Sequence, residues 1–315
     1  MKYVLGVDIG GTQLRCALIN SAGEILAHGR TRSQADQGPT AVIGRVLDLI
    51  AQMQAQVPSD GHLLGIGVGA PGPLDPEQGI IFSAPNMPGW HAIPLRETLA
   101  QATGLPVWLD NDANAAALGE WRFGAGRHTH HLVYVTVSTG IGGGVIMADR
   151  LLHGRFGAAT EVGSILLDPE HATRWEDLAS GSALGRAAAA AMPMHPQSLL
   201  HTLATSATVT AAHVAQAANT GDALATQLMQ REARLLGIGF ASLLHLFSPE
   251  LLLVGGSVIL ENPALLAAAR SVAYAHALHD LYREVPILPA SLGDEAGVIG
   301  AAALALERYS FSEAP

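Results

Sequence analysis

This chain of 315 residues is poor in the groups that would tie it to several common roles. Its single cysteine, Cys16, permits no internal disulfide and no cysteine zinc cluster, and points to a reducing cytoplasm. Charged residues make up only 14% of the chain, and its 17 Lys and Arg, set against 27 Asp and Glu, form no cluster. A net charge of −10 without a basic patch argues against nucleic acid as the main partner, since phosphate-backbone binding needs clustered cations. Long hydrophobic runs are missing too. Asp8 breaks the N-terminal one before it can serve as a signal peptide, and Gly, His or charge breaks the later ones, so no membrane span is expected. The phosphate-loop pattern G-x-x-x-x-G-K-[ST] does not occur. What the chain has in quantity is core material. Hydrophobic residues make up 49%, which argues against disorder, and the length exceeds one comfortable core, so two domains are expected.

The first landmark lies at the N-terminus, where an apolar strand over residues 3–7 breaks into Asp8-Ile9-Gly10-Gly11-Thr12 and a second strand follows over 14–19. Glycines at such a junction let backbone N–H groups approach a bound anion. The Asp8 carboxylate can hold the divalent cation that accompanies a polyphosphate, and Thr12 adds a hydroxyl donor. A plain hairpin turn has the same residues, so both readings stand at this point. The pattern recurs near the middle: a strand over 132–137, then Ser138-Thr139-Gly140-Ile141-Gly142-Gly143-Gly144, then a strand over 145–147. A further pair, Gly255-Gly256, follows the apolar run 251–254. Repeated hairpins of this kind point to a duplicated architecture with a nucleotide held between lobes.

Strands and helices alternate along the rest. Residues 41–57 carry apolar side chains at 42, 43, 46, 47, 50 and 53, a helical period that Pro58 ends. A strand over 63–68 leads into Gly69-Ala70-Pro71-Gly72-Pro73, a helix over 94–103 stops at Gly104, and a strand over 106–109 follows. Helices dominate beyond Gly181, including 186–192 and 223–247, and a strand over 285–288 precedes a last helix opening at Gly297. This mixture predicts an α/β fold. Residues 67–72 match G-x-G-x-x-G, but Pro73-Leu74-Asp75-Pro76 denies the helix that a dinucleotide site requires there. At Asp110-Asn111-Asp112 a strand ends, and Asn111 or Asp112 caps the next helix. A carboxylate held there also suits a base for phosphoryl transfer to an alcohol, because the helix dipole keeps it ionised. Cap and base are compatible roles.

Taken together, these motifs resemble the ROK family of sugar kinases and repressors. They run nearly end to end: Asp8-Ile9-Gly10-Gly11-Thr12, residues 69–75, Asn86 with Gly89-Trp90, Asn111-Asp112, residues 138–144, and Val254-Gly255-Gly256-Ser257. The resemblance implies an α/β, two-lobed actin-like (ribonuclease H-like) ATPase fold of sugar kinases, with 1–113 plus 298–315 as N-terminal lobe and 114–297 as C-terminal lobe. It implies that Asp112 is the catalytic base and that Asn86 and Asn111 bond the sugar. Asp8 would hold Mg2+ through water. Gly10, Gly11, Thr12, Thr139 and Gly140 would hold the ATP phosphates, with Gly255 and Gly256 near the adenosine. A homodimer is implied as well.

The departures concern the sugar side. The family pattern Glu-x-Gly-His reads Glu161-Val162-Gly163-Ser164 here, and the Cys-rich zinc loop that normally follows is shortened to residues 167–175 without a cysteine. Glu176 still aligns with the family's next Glu. Glu161 and Glu176 are thus expected to bind sugar, and no zinc site is expected. His128-Thr129-His130-His131 reads as a solvated loop, with metal binding as the alternative. For Trp90 and Trp175, stacking on a sugar face and ordinary packing are both open. The expected activity is ATP- and Mg2+-dependent phosphorylation of a hexose, with glucose at O6 first and N-acetylmannosamine, mannose or fructose as alternatives. Polyphosphate is the alternative donor, and the lobes are expected to close around the sugar and exclude water. The rival is a sugar-sensing protein. A family repressor carries an N-terminal helix-turn-helix, for which the early hairpin leaves no room, and a silent sensor would not need Asp112 and both hairpins.

Overall fold

The computed structural model describes residues 1–84 and 87–312. Its first elements are β1 (Lys2–Ile9), β2 (Gln13–Asn20), β3 (Ile25–Arg32), α1 (Pro39–Gln54) and β4 (His62–Ala70). Then come α2 (Leu95–Thr103), β5 (Val107–Asn111), α3 (Asp112–Phe123), β6 (His131–Val137) and β7 (Ile141–Met147). The helical part holds α4 (Trp175–Ala179), α5 (Gly181–Ala191), α6 (Ala211–Asn219) and α7 (Ala223–Phe247). The chain closes with β8 (Leu251–Gly255), α8 (Pro263–Ala275), β9 (Ile287–Pro289) and α9 (Ala296–Ser312). Among the described residues no helix is long and apolar enough to cross a membrane.

Two compact units emerge: Met1–Thr129 with Gly144–Thr160 and the chain from Asp294 on, and His130–Gly143 with Glu161–Gly293. Beside the lobes expected at 1–113 plus 298–315 and at 114–297, the first unit also takes in residues 144–160 and α3. For α3 the reason is its contact with α9. A Cβ on Gly300 would stand 1.8 Å from the Ala115 carbonyl oxygen, so the two helices meet backbone to backbone.

The first unit is built on a sheet of order β3-β2-β1-β4-β5. β1, β4 and β5 run parallel, with Asp8 level with Gly69 and Gly69 level with Asp110. Their C-terminal ends therefore share one edge. Val7, Ile9, Leu14, Leu18, Val46 and Ile66 are among the side chains of its buried core. α9 packs on β1 and β4, where only hydrogen fits at Gly67, since a Cβ would lie 1.7 Å from the Ala301 oxygen. β4 runs on to Ala70 and leads into short strands at Leu74–Asp75, Ile80–Ser83 and His91–Ile93 rather than a helix.

In the second unit β6, β8 and β9 are parallel, with Leu251 level with Leu132 and Leu252 with Ile287. α7 packs on α6 and α8, and Asp222 caps it by accepting the Ala225 N–H at 2.8 Å. Leu184, Leu200, Val214 and Leu228 belong to the apolar cluster of this helical part.

Candidate active site

Asp8, the hairpin at residues 10–12, Asn111 and Asp112 all belong to the first unit and lie at the ends of its parallel strands. Asp8 is half-buried at the end of β1. Burial pushes its carboxyl up to about 6, against the pull of Arg15 and with a push from Glu295. Arg15 faces Asp8 in the β1–β2 register and donates to the Gln13 side chain and to the Asp294 carbonyl. The turn after Asp8 closes by Gly10 N–H donating to the Gln13 oxygen at 2.9 Å, and Ser33 braces it through the Gly11 and Thr12 carbonyls. Thr12 is exposed. These bonds are those of a plain hairpin turn, and a turn that holds a phosphate would use the same backbone.

At the start of α3 the cap is Asn111, whose Oδ1 accepts the N–H groups of Ala113 at 2.9 Å and Asn114 at 3.4 Å. Asp112 is the first residue inside the helix, not its cap, and it is exposed. Its Oδ1 accepts the Ala113 N–H at 2.7 Å. Beneath lies a group the sequence did not reveal. Asp110 Oδ1 accepts the Asn111 N–H at 2.7 Å and Asn114 Nδ2 at 3.0 Å, while Oδ2 meets His153 Nε2 at 2.5 Å. That bond, opposed in part by burial, holds the His153 ring above the usual imidazole range. Asn86 lies outside the described residues.

The second unit brings together Thr139, Gly140 and the turn at Gly255 and Gly256. Ser138 N–H closes the hairpin on the Gly140 oxygen at 2.9 Å, and the first N–H groups of α5 reach it, Gly181 to Ser138 O at 2.8 Å and Ser182 to Thr139 O at 3.3 Å. Ser257 N–H donates to Ser138 Oγ at 3.3 Å. Ser138, Thr139, Ser182, Arg186, Thr210 and Ser257 line part of a cleft of about 510 Å³. Of these, Ser182, Arg186 and Thr210 went unread in the sequence. The usable signal was Ser180, whose hydroxyl caps α5 by accepting the Ala183 N–H at 3.2 Å.

Glu161 and Glu176 also converge within this unit. Burial lifts the Glu161 carboxyl above its ordinary range, and the charge of Glu176 adds to the lift. Glu176 Oε2 lies 3.0 Å from where a Cβ on Gly140 would sit. Ser164 is exposed, and its N–H donates to the Glu161 oxygen at 3.0 Å. The shortened loop forms a hairpin of Leu166–Asp168 with Thr173–Arg174. Asp168 closes it by accepting the Glu170 N–H at 3.0 Å and His171 Nδ1 at 2.8 Å.

For the two tryptophans the alternatives resolve toward packing. Trp90 and Trp175 are both fully buried, and Trp175 stands edge-on to Phe240 with centroids 5.9 Å apart, so both are packing residues. In the histidine loop, the Glu250 carboxylate accepts the N–H groups of His130 at 2.5 Å and His131 at 2.9 Å, anchoring its backbone.

The model of the ROK family matches residues 4–308. The chain belongs to the ROK family. It is 34% identical over 314 residues to a glucokinase of Thermotoga maritima, spanning 97% of this chain and 98% of that protein. A ROK family glucokinase from Streptomyces griseus, solved with glucose and AMPPNP, superposes with a TM-score of 0.84 at 32% identity, covering 97% of this chain and 99% of that one. The ROK hexokinase from Thermus thermophilus gives 0.82 at 32% identity, covering 98% and 99%. The α/β architecture is accordingly the actin-like ATPase fold of the ROK sugar kinases, and this ROK protein is a carbohydrate kinase.

Proposed function

We propose that this ROK kinase transfers the γ-phosphoryl group of ATP to the O6 hydroxyl of glucose. The observation that carries the reading is the setting of Asp112: exposed, first in α3, at the edge where the parallel strands end. Asp112 takes the proton of O6 as the O6–P bond forms and the bond from Pγ to the β,γ-bridging oxygen breaks, releasing ADP. Such a transfer asks the protein mainly for positioning and charge stabilisation. Asn86, Asn111, Glu161 and Glu176 hydrogen-bond the other sugar hydroxyls. The two hairpins, at Gly10, Gly11 and Thr12 and at Thr139 and Gly140, take the phosphates, and Gly255 and Gly256 flank the adenosine. The cleft of about 510 Å³ is the size of a small-molecule site, and the N-terminus of α5 beside it favours an anion.

The residues present fit Mg2+ as well. That ion is commonly held by one or two carboxylates together with substrate phosphates, and the half-buried Asp8, its carboxyl pushed up to about 6, gains from a cation that keeps it ionised. Asp8 would hold it through water, and the ion neutralises charge on the transferring phosphates when bound. The names of the glucokinase relatives support glucose over other hexoses.

A panel of glucose, mannose, fructose and N-acetylmannosamine, each with ATP and with polyphosphate, tests the reading. Glucose with ATP should give the highest kcat/KM, and phosphorus NMR should place the phosphate on O6. Faster turnover of another sugar, or of polyphosphate, overturns the assignment.

A further inference from the structure

Asp110 carries none of the roles proposed above, yet it directly precedes Asn111 and Asp112 and binds the start of α3. It is 2% exposed, and its two oxygens are served unequally. Oδ1 takes both the Asn111 N–H and the Asn114 amide, whereas His153 is the donor to Oδ2 among the described residues. Without that donor a buried carboxyl oxygen would stand unsatisfied, a costly state that the group relieves by turning and sharing its remaining donors. Those donors are the backbone and side chain that start α3. The carboxyl therefore cannot turn without disturbing Asn111 and Asp112.

The same line reaches a second place. Asn114, 1% exposed, takes part at its Oδ1 in a hydroxyl contact with Thr160 at 3.3 Å, which Thr160 shares with the Ala159 oxygen at 2.6 Å. Thr160 has φ +65°, a left-handed conformation that a β-branched residue holds only when its surroundings enforce it. The next residue in the chain is Glu161. Ala159 N–H donates to the His153 carbonyl at 3.1 Å, so His153 closes this loop with its backbone and anchors it to β5 with its ring.

We propose that His153 is a positioning residue of this kinase: through Asp110 it fixes the start of α3, with Asn111 and Asp112, and the strained turn at Thr160 that leads into Glu161. The inference rests on the roles proposed for Asp112 and Glu161. It does not require His153 to touch substrate. What matters is the reach of a donor to Asp110 Oδ2.

Two amide variants separate reach from mere polarity. In His153→Gln the amide nitrogen stands about where Nε2 does and can donate to Asp110, whereas in His153→Asn it falls short. Both should be purified, and kcat and KM measured with ATP and with whichever hexose of the panel turns over fastest. His153→Asn should lower kcat by roughly 10- to 100-fold, the scale of a slight misplacement of reacting groups, and raise the sugar KM while leaving the ATP KM unchanged. His153→Gln should recover kcat to within about threefold of the parent. The proposal is overturned if His153→Asn turns over normally, if His153→Gln is as impaired as His153→Asn, or if sugar and ATP KM rise together. Asp112→Asn, assayed alongside, keeps the underlying reading separate: normal turnover there removes Asp112 as base whatever the His153 variants do.

Discussion

A carboxylate that takes a proton from an alcohol has to be open to the substrate and fixed in aim. Asp112 is exposed, yet its Oδ1 is tied to the Ala113 N–H at 2.7 Å, at a helix N-terminus that favours negative charge. Because Asn111 is the cap, Asp112→Asn removes no capping bond, and the new amide oxygen can still accept from Ala113. Turnover should nevertheless fall by roughly 10²–10⁴-fold, the usual contribution of a general base, with sugar and ATP affinity little changed. Steady-state kinetics on this variant check it, and near-normal kcat would strip Asp112 of the role. Such sites were legible in the sequence where their residues are neighbours in the chain, as in Asp8-Ile9-Gly10-Gly11-Thr12 and Asn111-Asp112. Asp110 and His153 are 43 positions apart, and only the fold joins them, so no local pattern announced the pair. Which of Asn111 and Asp112 is the cap was equally hidden, since both residue types cap well and one backbone turn decides between them.

Elements show the same division between local signal and tertiary choice. α7 was readable over 223–247 from its Ala- and Leu-rich run, and the structure adds Asp222 as its cap. β3 was not, because its alternating half-buried and exposed side chains, among them His28, Arg30 and Arg32, give no apolar run. Nor does the run in α7 show that its Glu232 is fully buried, with neither carboxyl oxygen partnered among the described residues. Burial pushes that carboxyl up to about 8, with Arg231 opposing in part. The unfolded chain loses the proton near the ordinary carboxylate value of about 4.3, so between there and about 8 the folded state binds more protons than the unfolded one. Glu232 should therefore make the fold less stable as pH rises through that window, by an amount on the order of a few kcal/mol. Glu232→Gln removes the titration. Thermal unfolding should find the variant close to the parent at pH 5 and more stable than it at pH 8, whereas an equal difference at both values would mean that Glu232 is not protonated in the fold.

For the molecule as a whole, the question is what holds the shortened loop at residues 167–175, which carries no cysteine and where no zinc site is expected. The hairpin of Leu166–Asp168 with Thr173–Arg174 is closed by the bonds of Asp168 to Glu170 and His171, and Trp175, which follows, is buried edge-on to Phe240. Each unit has its own apolar core, around residues such as Ile9 and Ile66 in one and Leu184 and Val214 in the other. We propose that hydrogen bonds and apolar packing do locally what a metal does in a zinc-dependent fold, where binding can supply on the order of 10 kcal/mol. Chelation should then separate stability from activity. Excess EDTA should leave Tm unmoved within about 2 °C, far less than the shift that losing on the order of 10 kcal/mol of metal-binding energy would cause. It should abolish sugar phosphorylation by withdrawing Mg2+, and added Mg2+ alone should restore the rate in full. If Tm falls on chelation, or if turnover returns only when zinc is supplied with Mg2+, then a metal does hold the loop, and Ser164 and the missing cysteines have been replaced by ligands that lie elsewhere in the chain.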